Sequence, residues 1–347
     1  MTQPFTCWTT EVGAADAARA GGKAAALGEL ARAGLPVPRG FVITTAAFLL
    51  HMDGVDPDGA ARRALVALAA DDLAGIARAA AGLRARVVGQ ALPPEVAAEI
   101  APACAALGDG PVAVRSSATL EDSAEASFAG LQDTYLAVRG TGAVLDRVRA
   151  CWASLYNDES IAYRRRQGTG EDGLAMGVVV QPMLDPRSAG VMFTRSPVTG
   201  DRSVVAIEGT WGLGSALVGG EVTPDSFTVS KVTGEITGRR VGVKLRVHSF
   251  TPNGQGISAT PMAVPLRRTP CLTDDEVRAL ARLGRQVEDH FGAPQDIEWA
   301  LLGDSPGRFV LLQSRPETVW AGRDRGPIAS PRAKASDHVL ARFSRGL

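Results

Sequence analysis

The sequence predicts a mixed helix-and-sheet protein of the α/β (α+β) class, and three observations point there. Residues about 56 to 107 are Ala- and Arg-rich stretches with helical periodicity, and Ala143 to Arg166 supplies one or two further helices. After Gly177 the texture changes to short β-branched runs separated by Gly, Pro, Asn and Asp, the pattern of strands joined by tight turns. A capped amphipathic helix and a hairpin follow. The 347 residues, 45% of them apolar, can fill one or two buried cores at about 100–200 residues per domain.

Each element has a local reason. The segment from Gly21 to Gly34, GGKAAALGELARAG, opens on a glycine pair, continues through strong helix formers and ends on a glycine suited to a C-cap. Pro36 and Pro38 stop it, and Phe41 to Ile43 reads as a short strand. Helical stretches run from about residue 56 to 107, bounded by Pro93 and Pro94. Pro111 to Arg115 is a short buried strand, the Ser/Ala-rich run from Ser116 to Gly130 a loop, and Leu131 to Val138 a further strand. One or two helices occupy Ala143 to Arg166. The strands after Gly177 are GVVVQPM, SAGVMFTRSPVTG, SVVAIEG, DSFTVS and EITGRRVGVKLRV, with a second unit beginning near residue 190. Thr273 and Glu276 form a capping box for a helix reaching Phe291, with Val277, Leu280, Leu283, Val287 and Phe291 on one face. DIEWALL and RFVLLQS then pair through GDSPG, and the Pro/Gly/Ser/Arg-rich stretch past Trp320 is linker-like, with a short terminal helix at most.

Composition excludes several classes. The 37 basic and 37 acidic residues cancel, against the basic excess expected of a nucleic-acid binder. No window approaches the roughly 18 apolar residues of a membrane span, and the start lacks the order of a signal peptide, so the cytoplasm is the expected location. Cys7, Cys104, Cys151 and Cys271 are widely spaced and read as ordinary thiols. His51, His248, His290 and His338 lack zinc-ligand spacing and a nearby nucleophile-elbow Ser or Cys, so covalent catalysis is not expected; His290 reads as a packing residue. Only four basic residues are lysines, Lys23, Lys231, Lys244 and Lys334, a skew that a GC-rich coding sequence also explains.

The hairpin carries a checkable constellation. If Glu298 lies opposite Gln313 and Asp296 opposite Arg315, period two puts all four on one face, with Ile297, Trp299, Leu312 and Ser314 on the other. That face gathers the oxygen ligands and guanidinium suited to a magnesium ion and a polyphosphate, while a slip of one residue would scatter them. Gly21-Gly22-Lys23 offers backbone N–H groups and an ammonium at a helix start, and reads as an anion site or as plain structure. It is no P-loop, because Ala24 stands where Ser or Thr is required. Arg115, at its strand end before Ser116 and Ser117, also reads both ways. Gly212-Leu213-Gly214 fails the dinucleotide fingerprint at Leu217.

Taken in order, GGKAAALGEL, GLPVPRGFVIT, VAVRSSATLEDSAEASFAGLQDTYL, VVVQPML, AGVMFTRSPVTGD, WGLGSALVGGEVTPDSF, DIEWALL and LLQSRP resemble the nucleotide-binding domain of phosphoenolpyruvate synthase, pyruvate phosphate dikinase and rifampicin phosphotransferase, over about residues 12 to 318. The resemblance implies an ATP-grasp fold with two subdomains enclosing the nucleotide: 1–190, then 191–320 with the Mg-ATP hairpin, and a linker-like tail at 321–347. It implies Lys23 and Arg115 on the ATP phosphates, Gly130, Thr134 and Gln181 as further nucleotide contacts, Glu298 and Gln313 on the magnesium side, and Arg315 on a phosphate. Lys23, Arg115 and Arg315 would be the catalytic cations, with Lys244 a candidate second cation. One departure stands out: Ser215 follows Gly212-Leu213-Gly214 where the family usually has glutamate, which puts that glutamate's role in doubt.

Full-length relatives continue into a swivelling domain with a phosphorylatable histidine and a domain for pyruvate or another acceptor. The chain stopping at Leu347 therefore reads as a phosphoryl-donor half, using ATP and Mg²⁺ and working with a separate histidine-domain protein and an acceptor-binding protein, without nucleic acid or membrane. Two alternatives remain: a stand-alone kinase or ligase acting directly on a small molecule, and a catalytically silent nucleotide-binding regulator.

Overall fold

Runs of β-branched residues broken by tight turns build two antiparallel sheets, each with helices packed against it. The computed structural model describes residues 3–69, 71–119, 133–167, 173–251, 256–304, 307–318 and 320. Its strands are β1 (Thr6–Trp8), β2 (Phe41–Ile43), β3 (Val112–Ala118), β4 (Thr134–Val138), β5 (Met176–Pro182), β6 (Ser188–Phe193), β7 (Val204–Trp211), β8 (Asp225–Ser230), β9 (Ile236–Arg240), β10 (Arg246–Phe250), β11 (Ile257–Pro261), β12 (Gln295–Leu302) and β13 (Arg308–Pro316). Its helices are α1 (Ala17–Ala20), α2 (Gly22–Arg32), α3 (Thr45–Val55), α4 (Ala60–Ala67), α5 (Leu73–Gly89), α6 (Pro94–Leu107), α7 (Thr141–Ser154), α8 (Asp158–Gln167), α9 (Ser215–Val218) and α10 (Asp274–Phe291). The first sheet has the order β1-β2-β5-β3-β4 and the second β13-β12-β6-β7-β8-β9, with β10 and β11 as a separate pair that the sequence reading did not anticipate. No helix among the described residues is long and apolar enough to cross a membrane.

Period two decides which face of each sheet is covered. On β3, Val112, Val114 and Ala118 join a core with Phe48, Met52, Leu83 and Trp152 of the helices, which leaves Ala113 and Arg115 on the opposite face. On β12, Ile297, Trp299 and Leu301 pack with Val277, Leu280 and Val287 of α10, which leaves Asp296 and Glu298 facing away. Burial of each large apolar side chain contributes about 1.5–3 kcal/mol, so these cores hold the polar faces in place. The predicted capping box on α10 is present, Thr273 Oγ1 accepting from Glu276 N–H and the Glu276 carboxylate from Thr273 N–H.

Helix α2 ties the two sheets together. Ala24 and Leu27 pack with Val42 and Val179 of the first sheet, while Leu30 belongs to the core of the second. The helix closes as a Schellman turn: Leu35 N–H donates to Leu30 C=O at 3.0 Å and Gly34 N–H to Ala31 C=O at 3.1 Å, with Gly34 at φ 71°. Just beyond, Leu311 N–H of β13 donates to Pro36 C=O at 2.7 Å.

The structure departs from the sequence reading in two places that matter for the site. Strand β3 runs on through Ser116 and Ser117, read above as the start of a loop, because both pair with β5 opposite Val178 and Gly177. Ser117 Oγ accepts from Ala24 N–H at 3.0 Å, and Gly21, at φ 83°, lies so close that a Cβ would fall 1.9 Å from Ser117 O. The glycine at this helix start thus serves a close backbone approach, and the N–H of Ala24, next after Lys23, is capped by a serine.

The run EITGRRVGVKLRV also breaks after Arg240, and Lys244, expected as a second cation, is fully buried in an ion pair with Asp225. Asp225 accepts in addition from Gly242 N–H at 2.9 Å and Cys271 N–H at 2.7 Å, so its carboxylate joins three segments and holds the Lys244 ammonium away from any ligand. Removing one partner of such a pair leaves a buried uncompensated charge. Lys244→Met should therefore lower unfolding stability by about 3–5 kcal/mol in urea titration; a loss below about 1 kcal/mol would contradict this assignment.

Candidate active site

A cleft of about 340 Å³ lies between the two sheets, within the range of small-molecule sites. Ala113, Arg115, Thr134 and Gln181 of the first sheet line one wall, and Ala189, Glu298, Ala300 and Leu312 of the second line the other. These residues stand on strands whose other faces are buried, so their positions are set by the cores.

Arg115 crosses the cleft. Its guanidinium donates to Leu312 C=O at 2.7 Å, to the Glu298 carboxylate at 2.7 Å and to Gln313 Oε1 at 3.2 Å, while its Nε is buried without a hydrogen-bond partner among the described residues. Burial by itself would raise the Glu298 carboxyl, but the charge and hydrogen bond of Arg115, with the charges of Lys23 and Arg315, hold it below the ordinary glutamate value. Glu298 is thus kept as an anion beside the amide oxygen of Gln313, a pair of hard oxygen donors that fits a magnesium ion once Arg115 yields one of its bonds.

The hairpin register matches the expectation where it counts: Asp296 lies opposite Arg315 and Glu298 opposite Gln313. Beyond Glu298 a β-bulge shifts the pairing, so Trp299 faces Leu311. Leu312, expected on the core face, instead lines the cleft and presents its carbonyl to Arg115, while Leu311 takes its place in the core. Arg315 donates twice to Asp296 Oδ2, at 2.8 and 2.5 Å. Burial raises the Asp296 carboxyl despite that pair, and the neighbouring Glu298 and Glu317 charges push the same way. Glu317, 6% exposed, keeps Oε2 buried without a hydrogen-bond partner among the described residues.

Of the residues singled out from sequence, Arg115, Glu298 and Gln313 are in direct contact, and Lys23 and Arg315 act on Glu298 through their charge. Lys23 Nζ is buried and donates to Ser116 C=O at 2.8 Å. Thr134 pairs with Arg115 across β3 and β4, and Gln181, also lining the cleft, donates to Pro38 C=O at 3.1 Å. Gly130 lies outside the described residues. Asp296 stands opposite Arg315 as the hairpin register predicted, whereas Glu317, just past the hairpin, was not singled out from the sequence. The four cysteines are free thiols. His290 lies edge-on to Phe291 and faces Glu29 at 3.4 Å.

One cluster had no sequence signal. His248, set aside above for want of a serine in a nucleophile-elbow setting, approaches Ser215 Oγ at 2.9 Å through Nδ1, although 33 residues separate them. Its Nε2 approaches Glu221 at 3.3 Å. Helix α9, the turn after it and strand β10 bring these three together.

Comparison with known proteins gives a consistent family. The profile described as "Pyruvate phosphate dikinase, AMP/ATP-binding domain" matches residues 17–336. A rifampicin phosphotransferase of Streptomyces sp is 46% identical over 312 residues, covering 89% of the chain and 35% of that protein. A probable phosphoenolpyruvate synthase of Methanothermobacter thermautotrophicus is 41% identical, covering 91% of the chain and 46% of the relative. The phosphoenolpyruvate synthase of Aeropyrum pernix is 37% identical, with 95% and 44% covered. The chain therefore spans between about a third and just under half the length of these curated relatives.

Arg115 is the first of the neighbours holding the Glu298 carboxyl down, so its loss has a defined sign. In Arg115→Ala the first of the groups that lower it is gone, so the Glu298 titration midpoint, followed by the side-chain carboxyl carbon in NMR, should move upward from the wild-type value. A depressed folded-state carboxyl stabilises the fold above its unfolded value and loses that contribution as pH falls through the folded one. The variant should accordingly lose that acid-side component; an unmoved midpoint would show that Arg115 does not govern Glu298.

Proposed function

The chain belongs to the pyruvate phosphate dikinase AMP/ATP-binding domain family, an ATP-grasp type of nucleotide-binding unit, and on that footing we propose that it is the ATP-using component of a dikinase-type phosphotransferase. Mg-ATP binds in the cleft between the two sheets, is cleaved to AMP, and gives a pyrophosphoryl group to a histidine on a swivelling domain. After phosphate loss, the phosphoryl group passes to pyruvate or another small molecule. The carrier and the acceptor-binding unit are supplied from outside residues 1–347. The observation that carries this reading is Arg115 reaching from the first sheet to Glu298, Gln313 and Leu312 C=O on the second, beside a cleft of nucleotide size.

In this reading Lys23, Arg115 and Arg315 compensate the charge of the phosphates, with Thr134, Gln181 and Gly130 as further nucleotide contacts. Glu298 and Gln313 hold the magnesium ion, which when bound neutralises phosphate charge. Phosphoryl transfer asks the protein mainly for positioning and charge compensation; Arg115 lines the cleft from a fixed strand, and Lys23 and Arg315 act on Glu298 through their charge. Support for transferase use of ATP comes from the relatives' names, rifampicin phosphotransferase and phosphoenolpyruvate synthase.

The test is product analysis. With Mg²⁺, ATP labelled in its β-phosphate and a separately expressed histidine domain from a full-length relative, the chain should release AMP and label that domain. ADP as the sole nucleotide product, formed with a small molecule and no carrier, would replace this reading with that of a stand-alone kinase. Lys23→Ala and Arg315→Ala should each reduce AMP formation by about 100-fold, and Glu298→Gln should raise the Mg²⁺ concentration needed for half-maximal turnover. Wild-type behaviour in all three would remove the assigned site.

A further inference from the structure

Besides its phosphate end, the cleft wall has a second built polar device. Ser215 lines the cleft at the first residue of α9. The turn before it lies on β10: Gly212, at φ 70°, passes so close that a Cβ would fall 2.5 Å from His248 O, and Leu213 N–H donates to that oxygen at 2.9 Å. His248, 9% exposed, is thereby fixed behind Ser215, and Glu221, which also faces Arg246 at 3.6 Å, stands behind His248.

Hydrogen-bond capacity then assigns each role. The Glu221 carboxylate only accepts, so His248 Nε2 carries the proton that faces it. In a neutral imidazole the other nitrogen is then an acceptor, so Ser215 donates its hydroxyl proton to Nδ1. The lone pairs of Ser215 Oγ remain for the cleft, and they can take only a ligand group that donates. Phosphate oxygens without protons do not qualify; sugar hydroxyls do.

Position selects among donors. A Cβ on Gly214 would lie 3.6 Å from Ala189 Cβ and 4.0 Å from Gly190 N. Gly190 and Ala189 pair with Trp299 and Ala300, whereas Glu298 pairs with Val191. At about 3.3 Å per strand residue, the Ser215 turn stands one or two steps from the Glu298 level. A nucleotide with its phosphates near Glu298 and Arg115 places its sugar next along the cleft and its base farther away.

We propose that Ser215, oriented as an acceptor by His248 and Glu221, receives a ribose hydroxyl of the bound nucleotide, making it a positioning residue that selects ribonucleotides. This rests on ATP occupying the cleft as proposed above. Calorimetric titration of the full chain with ATP, 2′-deoxy-ATP, 3′-deoxy-ATP and inosine triphosphate, all with Mg²⁺, tests both. Wild type should prefer ATP over one of the deoxy analogues by about 5–10-fold, the worth of one hydrogen bond. Ser215→Ala should bring that ratio to about 2-fold or less and leave affinity for the analogue itself unchanged, Ser215→Thr should retain it, and Glu221→Gln at the half-exposed rim should weaken it. Inosine triphosphate, which lacks the amino donor of adenine, should be affected by Ser215→Ala as ATP is. Undiminished discrimination in folded Ser215→Ala overturns the proposal, as does a Ser215 effect confined to the adenine amino group or phosphate found on Ser215 by mass spectrometry. No ATP binding by wild type would overturn the ATP reading together with this one, whereas ATP binding with unchanged discrimination overturns this one alone.

Discussion

The bridge from Arg115 to the hairpin is the interaction around which the site is organised. A single guanidinium meets a carboxylate, an amide oxygen and a backbone carbonyl, three acceptors contributed by both strands of the hairpin. Only a planar fork with several donors can do this; a lysine would offer one point charge to the same three oxygens. The bridge joins the first sheet to the second and keeps Glu298 ionised despite burial, so shape and electrostatics of the cleft depend on the same side chain.

Positioning of that bridge depends on α2. The helix contributes to the cores of both sheets, and its first turn is fastened to Ser116 and Ser117 on the same strand that carries Arg115. Lys23 and Arg115 are thus held by one piece of backbone, with the glycine start allowing the approach. The bulge beside Glu298 serves a related purpose at the other wall: it frees Leu312 C=O from the regular ladder and turns it to Arg115. Both devices spend local regularity to set the geometry of a polar contact.

The two ends of the cleft use different physics. At one end, charges dominate, with Arg115, Lys23 and Arg315 against Glu298, Asp296 and Glu317. Near Ser215 the wall is mostly apolar, and one hydroxyl lies 2.9 Å from an imidazole that in turn faces a carboxylate at 3.3 Å. Mostly apolar clefts with a few fixed polar groups suit ligands that are themselves charged at one end and flat and apolar at the other.

Local pattern determined much of this protein. The α2 helix and its glycine end, the capping box at Thr273, and the hairpin pairing of Glu298 with Gln313 follow from periodicity and turn chemistry over a few residues, which is why they were legible. The order of motifs implied the nucleotide-binding family, which the comparisons bear out. Tertiary structure alone decided that Arg115 spans the cleft instead of reaching solvent, because its partners lie 183 to 198 residues away. It also decided that Lys244 is a buried partner of Asp225 and that Ser215, Glu221 and His248 form one relay. A side chain's neighbours along the chain set its secondary structure; its charge state and partners are set by what the packed sheets bring within about 3 Å, and no local spacing encodes that.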